Sequence, residues 1–337
     1  MKNRATFVRF GATLVLLAYL ATRLDWRALG AIFANAEIPL IVLVVLLSPG
    51  LVLALAGRLY FLLSVQALPV SFVETWRATW AGQFFNTCLP GSTGGDLVRI
   101  FELIRLCQHQ QARITGLVIV DRLFALFGLV LMATVAVVLG GFPWASMVPD
   151  NVELRVWLPV ALGGVLGVLA LAWICRNQLV LRWPWIARAT RFMRQMWAET
   201  SVCVTRPRVA AIGLALALLV HIANFSLVYL LARSLGLGLG YGQTLALMPV
   251  LLLVLILPVT INGHGLRELI LVGYFQWLHG AGAGSAAGPR EQAVALSIVF
   301  VANDLVCSLP GGLWYLLNRR GSSILLSAGP TSNNFIK

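Results

Sequence analysis

Long apolar runs, separated by short polar joints, limit how this chain can fold more than any other feature of its sequence. About 20 apolar residues in helical form cross a hydrocarbon core about 30 Å thick. Hydrophobic residues make up 59% of the chain and charged residues only 11%, whereas a soluble domain has about 25% charged residues. The composition therefore excludes a soluble fold and predicts an all-α polytopic membrane protein. Six runs are predicted to span the membrane: 7–22, 38–57, 114–139, 156–175, 209–231 and 292–317.

Two further regions, 71–108 and 244–278, are interrupted in the middle by Pro and Gly. Pro ends a helical arm and Gly permits a sharp turn. The arms are too short or too polar to cross alone, so each region is predicted to be a re-entrant helical hairpin. Irregular backbone at membrane depth is tolerated only inside protein or beside a wet cavity. An alternative in which 266–278 spans leaves that helix only about 13 residues, short of the length required.

The net charge of +13 would favour a nucleic-acid partner in a soluble protein, but here the basic residues lie at the ends of predicted spans. Cytoplasmic loops of membrane proteins carry an excess of Lys and Arg. With a cytoplasmic N-terminus, nearly all of that excess falls on segments predicted to be cytoplasmic. We therefore predict a multi-pass protein with both termini in the cytoplasm and no nucleic-acid partner.

Two polar segments complete the organisation of what we predict to be one integral membrane domain, 1–337. Segment 176–208 mixes Arg with Trp at helical spacing, which favours a basic amphipathic helix on the anionic cytoplasmic leaflet. An ordinary solvated loop fits the same composition. Residues 321–337 are predicted to be a flexible tail. Because the chain ends about 20 residues after its last predicted span, we expect no additional soluble domain.

The breaks of the two predicted hairpins resemble each other. In 89–99 and in 257–267, Leu-Pro is followed by Ser or Thr two residues after the Pro, by Gly five residues after it and by Arg nine residues after it. By the charge assignment, the spans flanking each break run in opposite directions in the two halves. The halves, 38–139 and 209–317, are therefore predicted to form an inverted repeat, an architecture that recurs in transporters.

Each second arm is predicted to begin with its N-terminus deep in the membrane. Free backbone N–H groups and the positive end of the helix dipole favour an anion there, and an arginine one turn later adds bidentate geometry for phosphate. If the two tips meet, both arginines converge on one phosphate-sized site. In the alternative, the arginines pair with Asp96, Glu102 or Glu268 and only lock the hairpins. The predicted lipid-phosphate residues are Arg99, Arg267, Ser92, Gly94, Gly95, Asn262, Gly263 and Gly265.

Ionisable groups inside predicted spans are further candidates, because a charge in the hydrocarbon costs at least about 2.5–3.5 kcal/mol. Asp121 and Arg122 are adjacent, and we expect them to form an internal pair. Asp304 has no oppositely charged neighbour in sequence, so it is expected to pair with a hairpin arginine or to relay protons. His264 is expected to titrate near neutral pH or only to fill space. The residues predicted to form coupling or structural ion pairs are Asp96, Asp121, Arg122, Glu268 and Asp304.

No pattern in the sequence points to a metal, a cofactor or catalysis. The five cysteines lie in or beside apolar runs and lack the spacing of metal ligands or of a disulfide framework. Neither Asp-x-Asp nor His-Glu-x-x-His occurs. We therefore expect no catalytic residues, no metal, no cofactor and no enzymatic activity.

The residues at the breaks resemble those of the lysylphosphatidylglycerol synthase transmembrane family, also called the flippase-like domain family. The resemblance extends over about residues 10–318, and the pattern of the second break is its most specific part. The residues that carry it are Phe85, Asn86, Leu89, Pro90, Gly91, Gly94, Gly95, Asp96, Arg99, Asp121, Arg122, Leu123, Leu257, Pro258, Asn262, Gly263, Gly265, Arg267, Glu268, Asn303, Leu309, Pro310, Gly311 and Gly312.

This resemblance implies an integral protein of the bacterial or archaeal inner membrane. Its relatives are implicated in flipping aminoacylated phosphatidylglycerol or in handling hopanoids and polyprenyl-linked glycolipids. The leading hypothesis is a lipid flippase or transporter whose partners are membrane lipids. Two alternatives stay open: a membrane-embedded transferase acting on a lipid-linked substrate, and a non-catalytic partner of a lipid-modifying synthase. Relatives that make lysyl-phosphatidylglycerol carry an additional soluble domain, so synthase activity is not expected here.

Overall fold

A computed structural model of the chain describes residues 22–88, 94–107, 110–138, 184–256, 263–280 and 288–327, with the backbone alone for 184–191 and 318–327. Within these ranges every regular element is an α-helix. The helices are α1 (Trp26–Ala34), α2 (Ile38–Val65), α3 (Phe72–Cys88), α4 (Gly94–Leu106), α5 (Gln111–Val138), α6 (Pro184–Thr200), α7 (Val202–Thr205), α8 (Pro207–Ser234), α9 (Tyr241–Leu255), α10 (Leu266–Gly280) and α11 (Pro289–Ser327).

Four of the described helices are long and apolar enough to cross a membrane: α2, α5, α8 and α11 over Pro289–Leu317. The prediction of an all-α membrane protein is therefore confirmed. These helices correspond to four of the six predicted spans. Of the other two, 156–175 lies wholly outside the described residues. The span 7–22 also lies outside them, except for Thr22. The number of spans stays a prediction.

The spanning helices place apolar side chains outside and charged ones inside. Leu46 of α2 and Phe127 of α5 are each 71% exposed, whereas Arg58 and Asp121 of the same two helices are buried. In water this distribution would be unfavourable, because apolar surface of this extent is seldom left exposed by soluble monomers. Hydrocarbon around the bundle removes that penalty, so the outward face of these helices is a lipid-facing surface.

Two helix ends differ from the sequence prediction. The predicted span 38–57 continues to Val65, because the apolar sequence resumes immediately after Arg58. Arg58, which follows directly after the predicted span, therefore lies inside α2 and is 1% exposed. At the other end of the chain, α11 continues to Ser327, so the start of the segment predicted to be a flexible tail is helical.

Both regions predicted to be hairpins consist of two helices separated by a break. Region 71–108 forms α3 and α4, and region 244–278 lies within α9 and α10. At the start of α3, the backbone N–H and hydroxyl of Ser71 donate to Glu74, and these bonds lower the pKa of the Glu74 carboxyl. In the second break, Gly263 and Gly265 have φ of +75° and +86°, a left-handed conformation that glycine adopts without strain.

The arms of the first hairpin approach so closely that only glycine fits between them. A Cβ atom on Gly95 would lie 1.9 Å from the backbone oxygen of Gly82 and 2.6 Å from the side chain of Asn86. The N–H of Gly95 donates to Asn86 Oδ1 at 2.9 Å. Small residues allow such backbone contact between membrane helices. Gly95, predicted to bind phosphate, therefore contributes to the packing of α3 against α4.

We expect the substitution Gly95→Ala to destabilise the protein strongly. The added methyl group overlaps backbone rather than a movable side chain, so the two arms must separate and the bond to Asn86 must lengthen. Overpacking typically costs about 1–3 kcal/mol. Thermal unfolding of the purified protein in detergent measures the effect. Gly50→Ala is the matched control, because a Cβ there meets nothing within 4 Å; equal midpoints for the two variants would contradict this account of the packing.

Helices α2, α5 and α8 run through two hydrophobic cores that lie at opposite ends of these helices. One core joins all three helices to the first hairpin and includes Leu59, Ala78, Leu103, Ile114 and Ala217. The other core joins them to the second hairpin and includes Val44, Leu129, Phe225, Leu247 and Leu271. The first half of α5 thus lies in the same core as the second half of α2, so these helices are antiparallel. The two hairpins pack at opposite ends of the bundle.

The cross-contacts between the two halves also correspond. Helix α3, the first arm of the first hairpin, packs against α11, the last span of the second half. Helix α9, the first arm of the second hairpin, packs against α5, the last span of the first half. Helices α2 and α8, the first spans of each half, pack against each other. The inverted repeat and the re-entrant insertion stay predictions that agree with these contacts.

Helix α6 forms part of the segment predicted to be basic and amphipathic, and it packs on the bundle. A Cβ on Gly116 of α5 would lie 2.6 Å from both Met196 and Thr200 of α6. Arg113 of α5 donates to Glu199 of α6 at 2.6 Å. One face of α6 is therefore occupied by α5, while Trp197 is 56% exposed. Attachment of this segment to the leaflet stays a prediction.

Candidate functional site

A buried carboxylate with two arginines forms the centre of the candidate site. Asp121 of α5 is 0% exposed and accepts two hydrogen bonds from Arg58 of α2, from Nε at 2.6 Å and from Nη2 at 3.0 Å. Arg99 of α4, also buried, places Nη1 3.5 Å from the same carboxylate. Three elements of the first half, two spans and one hairpin arm, thus meet at Asp121.

A second ion pair extends this cluster to the surface. Arg122 of α5 donates from Nε to Asp96 of α4 at 2.8 Å, and its Nη2 makes a second bond to the same carboxylate. The Arg122 side chain is 43% exposed and that of Asp96 is 20% exposed. The expectation that Asp121 and Arg122 pair with each other is wrong. These two side chains point in different directions from α5, and each bonds a residue of another helix.

The cluster of Arg58, Arg99, Arg122, Asp96 and Asp121, here called the arginine cluster, contains one more positive than negative charge. Its guanidinium groups are also incompletely bonded: Arg58 Nη1 and Arg99 Nε are buried and have no hydrogen-bond partner among the described residues. Leaving a buried donor unsatisfied costs about 1–3 kcal/mol, and more when it is charged. Excess positive charge together with unused donors is the arrangement expected of an anion site.

The backbone amides predicted to bind the anion are used within the protein. At the start of α4, the Gly95 N–H donates to Asn86. At the start of α10, the Gly265 N–H donates to Glu268 Oε2 at 2.5 Å, as a capping carboxylate three residues into a helix does. Among the residues predicted to bind phosphate, Ser92 and Asn262 lie outside the described residues. The unsatisfied donors of the arginine cluster are guanidinium N–H groups.

Arg267 lies in a second cluster, in the other half of the protein, and its charge is balanced. It contacts Glu268 at 3.2 Å and donates from Nε to Ser297 of α11 at 2.9 Å. Its guanidinium lies over the Phe300 ring at 5.5 Å and 3.1 Å from His264 Nδ1. Glu268 also accepts a hydrogen bond from Ser297. This arrangement agrees with the alternative in which an arginine locks its hairpin.

The comparison with known families bears on both clusters. A family model for the lysylphosphatidylglycerol synthase transmembrane region matches residues 6–311. The chain belongs to this family. The matched range contains both hairpins and every residue of the two clusters. A comparison with curated proteins gives no match. The protein is therefore a membrane protein of the lysylphosphatidylglycerol synthase transmembrane family, whose name connects it with lipid modification.

In this family member, Arg99 and Arg267 have different partners. Arg99 lies against Asp121 between α2 and α5, and Arg267 lies against Glu268 and Ser297 beside α11. Their convergence on one phosphate stays a prediction, since residues 89–93 and 257–262 of the two tips lie outside those described. The part of the chain that is described contains no group of three or more His, Cys, Asp or Glu side chains that could hold a metal.

Two residues of these clusters were missed by the sequence analysis. Arg58 makes the shortest ion pair with Asp121, and Ser297 bonds both Arg267 and Glu268. A signal for Arg58 was present, because apolar sequence lies on both sides of it. An arginine that interrupts an apolar run of helical length is expected to need a buried partner. Ser297 carries no such signal, since serine is common in membrane helices and its role depends on which helix packs beside it.

Proposed function

We propose that this protein moves a phosphate-bearing lipid between the leaflets of the inner membrane without changing it chemically. The observation that carries the proposal is the arginine cluster: it has spare positive charge, and buried N–H groups of Arg58 and Arg99 have no partner in the part of the chain that the structure describes. A phosphate diester supplies one negative charge and several acceptor oxygens. Binding it would neutralise the cluster and satisfy the unused donors.

The cluster also offers a route from the surface to the buried arginines. Arg122 and Asp96 are partly exposed, while Arg99 is 2% exposed. An incoming phosphate can compete with Asp96 for Arg122, because both are anions that accept the same bidentate bonds. Separation of this pair would uncover Arg99. The structure described here then corresponds to an occluded state, and opening of the first hairpin admits the headgroup.

The placement of the two hairpins supports movement between leaflets. They pack in separate cores at opposite ends of α2, α5 and α8, as expected if one hairpin opens toward each side of the membrane. Transporters with inverted repeats expose a central site alternately by moving one repeat against the other. We propose the same exchange here, with the N- and C-termini in the cytoplasm.

The membership of the family suggests which lipids to test. Its name refers to lysylphosphatidylglycerol, a phosphate diester with an added aminoacyl group. We propose aminoacylated phosphatidylglycerol and polyprenyl-linked glycolipids as candidate substrates, since each carries phosphate at the polar end of a long apolar chain. Both lipids could bind the same arginine cluster, because the arginines would contact the phosphate group that both lipids contain.

Purified protein reconstituted into liposomes should move fluorescent phosphatidylglycerol across the bilayer. Dithionite added outside bleaches about half of the label in protein-free liposomes, and we expect it to bleach well over half when the protein is present. The matched comparison is a glucosyl diacylglycerol with the same fluorescent acyl chain, which has a polar headgroup without phosphate and should show no increase beyond its rate in protein-free liposomes. Equal acceleration of both lipids, or of neither, would contradict the proposal.

A further inference from the structure

A polar cavity lies between the two halves of the protein, and Phe300, which packs against Arg267 of the second cluster, forms part of its wall. Spans α2, α8 and α11 and hairpin arm α3 enclose it, and its polar lining consists of Ser48, Gln83, Asn224, Asn303 and Asp304. The space open to water is about 30 Å³, and a single water needs about 10–15 Å³ of such space. The cavity therefore has room for a small ion with a water, but not for a lipid headgroup.

Among the described residues that line the cavity, Asp304 is the only carboxylate. None of the basic side chains described lies within the ion-pair distance of 4.0 Å from it. The nearby Arg267, whose charge acts on Asp304, is bonded instead to Glu268 and Ser297. A carboxylate inside a spanning helix without a cation is costly. The prediction that Asp304 pairs with a hairpin arginine is therefore not met by a direct contact.

Side chains with neutral oxygens line the same cavity as this carboxylate. Ser48 Oγ lies 3.1 Å from Asn303 Oδ1, which joins α2 to α11 at the cavity wall. The amides of Gln83 on α3 and Asn224 on α8 line the same space. One carboxylate with four side chains that offer neutral oxygens replaces the hydration shell of a small hard cation, since such ions prefer oxygen ligands. A proton would need only the carboxylate.

We propose that this cavity is a sodium-binding site in which Asp304 supplies the charge and Ser48, Asn303, Asn224 and Gln83 supply neutral oxygens. Transporters commonly hold a coupling ion where broken helices meet the spans. Here the site lies between hairpin arm α3 and spans of both halves. An ion bound in it would therefore make the position of one half depend on the position of the other. The inference depends on the cavity alone and does not require the proposed lipid transport.

Equilibrium binding of radioactive sodium to the purified full-length protein in detergent tests the site. We expect saturable binding by the unaltered protein and at least a tenfold weaker affinity for Asp304→Asn. Ser48→Ala keeps the carboxylate and removes one neutral oxygen, so it should weaken sodium binding several-fold while leaving proton binding unaltered. Glu102→Gln removes the same charge from a pair with the exposed Arg105 and should bind sodium normally.

Misfolding is not expected to confuse the result, because Asp304→Asn removes a carboxylate that has no paired cation. Size-exclusion profiles of all variants should therefore match that of the unaltered protein. Sodium binding that persists in Asp304→Asn would overturn the proposal, as would a folded, unaltered protein that binds no sodium. Proton uptake at Asp304 without sodium binding would also overturn it and assign a proton site. No lipid movement is measured, so failure here leaves the transport proposal untouched.

Discussion

The substitution Arg99→Gln should lower phosphatidylglycerol transport in liposomes at least about tenfold while the protein stays folded. A hydrogen bond to a charged group contributes about 1.5–3 kcal/mol, and about 1.4 kcal/mol corresponds to a factor of ten. The variant leaves two arginines and two aspartates in the arginine cluster, so its charges balance. Loss of transport would then report the loss of a phosphate ligand rather than a loss of stability.

The matched control for this variant is Arg105→Gln. Arg105 lies on the same helix, α4, and its side chain is 56% exposed and 3.2 Å from Glu102. The same change of charge on the outside of the hairpin should leave transport close to that of the unaltered protein. Arg99→Lys keeps the charge but not the forked donor geometry, so we expect an intermediate rate. Normal transport by Arg99→Gln would place the lipid phosphate elsewhere.

Replacement of Asp121 by asparagine should destabilise the protein more than replacement of its partner Arg58 by methionine. Asp121→Asn leaves three arginines with only Asp96, and breaking a buried ion pair by removing one partner costs about 3–5 kcal/mol. Arg58→Met removes the spare positive charge and fills much of the same volume, while Arg99 still lies 3.5 Å from Asp121. We therefore expect the methionine variant to lose less than half as much stability.

Unfolding in increasing concentrations of denaturing detergent, followed by tryptophan fluorescence, measures the relative stability of these two variants. Glu102→Gln serves as the control, because its partner Arg105 is exposed and such surface pairs contribute at most about 1 kcal/mol. If Arg58→Met were as damaging as Asp121→Asn, the cluster would not carry the spare charge on which the proposed phosphate site depends. The stability experiment thus tests the site without any transport measurement.

Several features of the candidate site were predictable because they depend on local sequence. Pro and Gly at the two breaks interrupt the helices whatever packs around them, and α3, α4, α9 and α10 are the result. The ionisable residues in apolar surroundings were also recognisable, since few charges occur there without a partner. Asp121 was singled out on this basis, and Arg99 and Arg267 were singled out by their place after the two breaks; all three lie in buried ion pairs.

The partners of Asp121 and Arg122 could not be predicted, because they come from other helices. Asp121 bonds Arg58, which is 63 residues earlier, and Arg122 bonds Asp96, which is 26 residues earlier. Sequence adjacency suggested a pair between Asp121 and Arg122, but each of them bonds a residue of another helix instead. The use of the Gly95 amide by Asn86 likewise depends on the distance between two arms, which no local pattern specifies.

The sequence by itself determined that this protein lies in a membrane, that it is helical and that two of its segments are broken, because apolar length and Pro or Gly act on the chain locally. The tertiary structure alone decided which charges neutralise one another, which arginine N–H groups are left without partners, and that Asp304 faces a cavity rather than an arginine. These properties depend on how helices far apart in the sequence pack against one another.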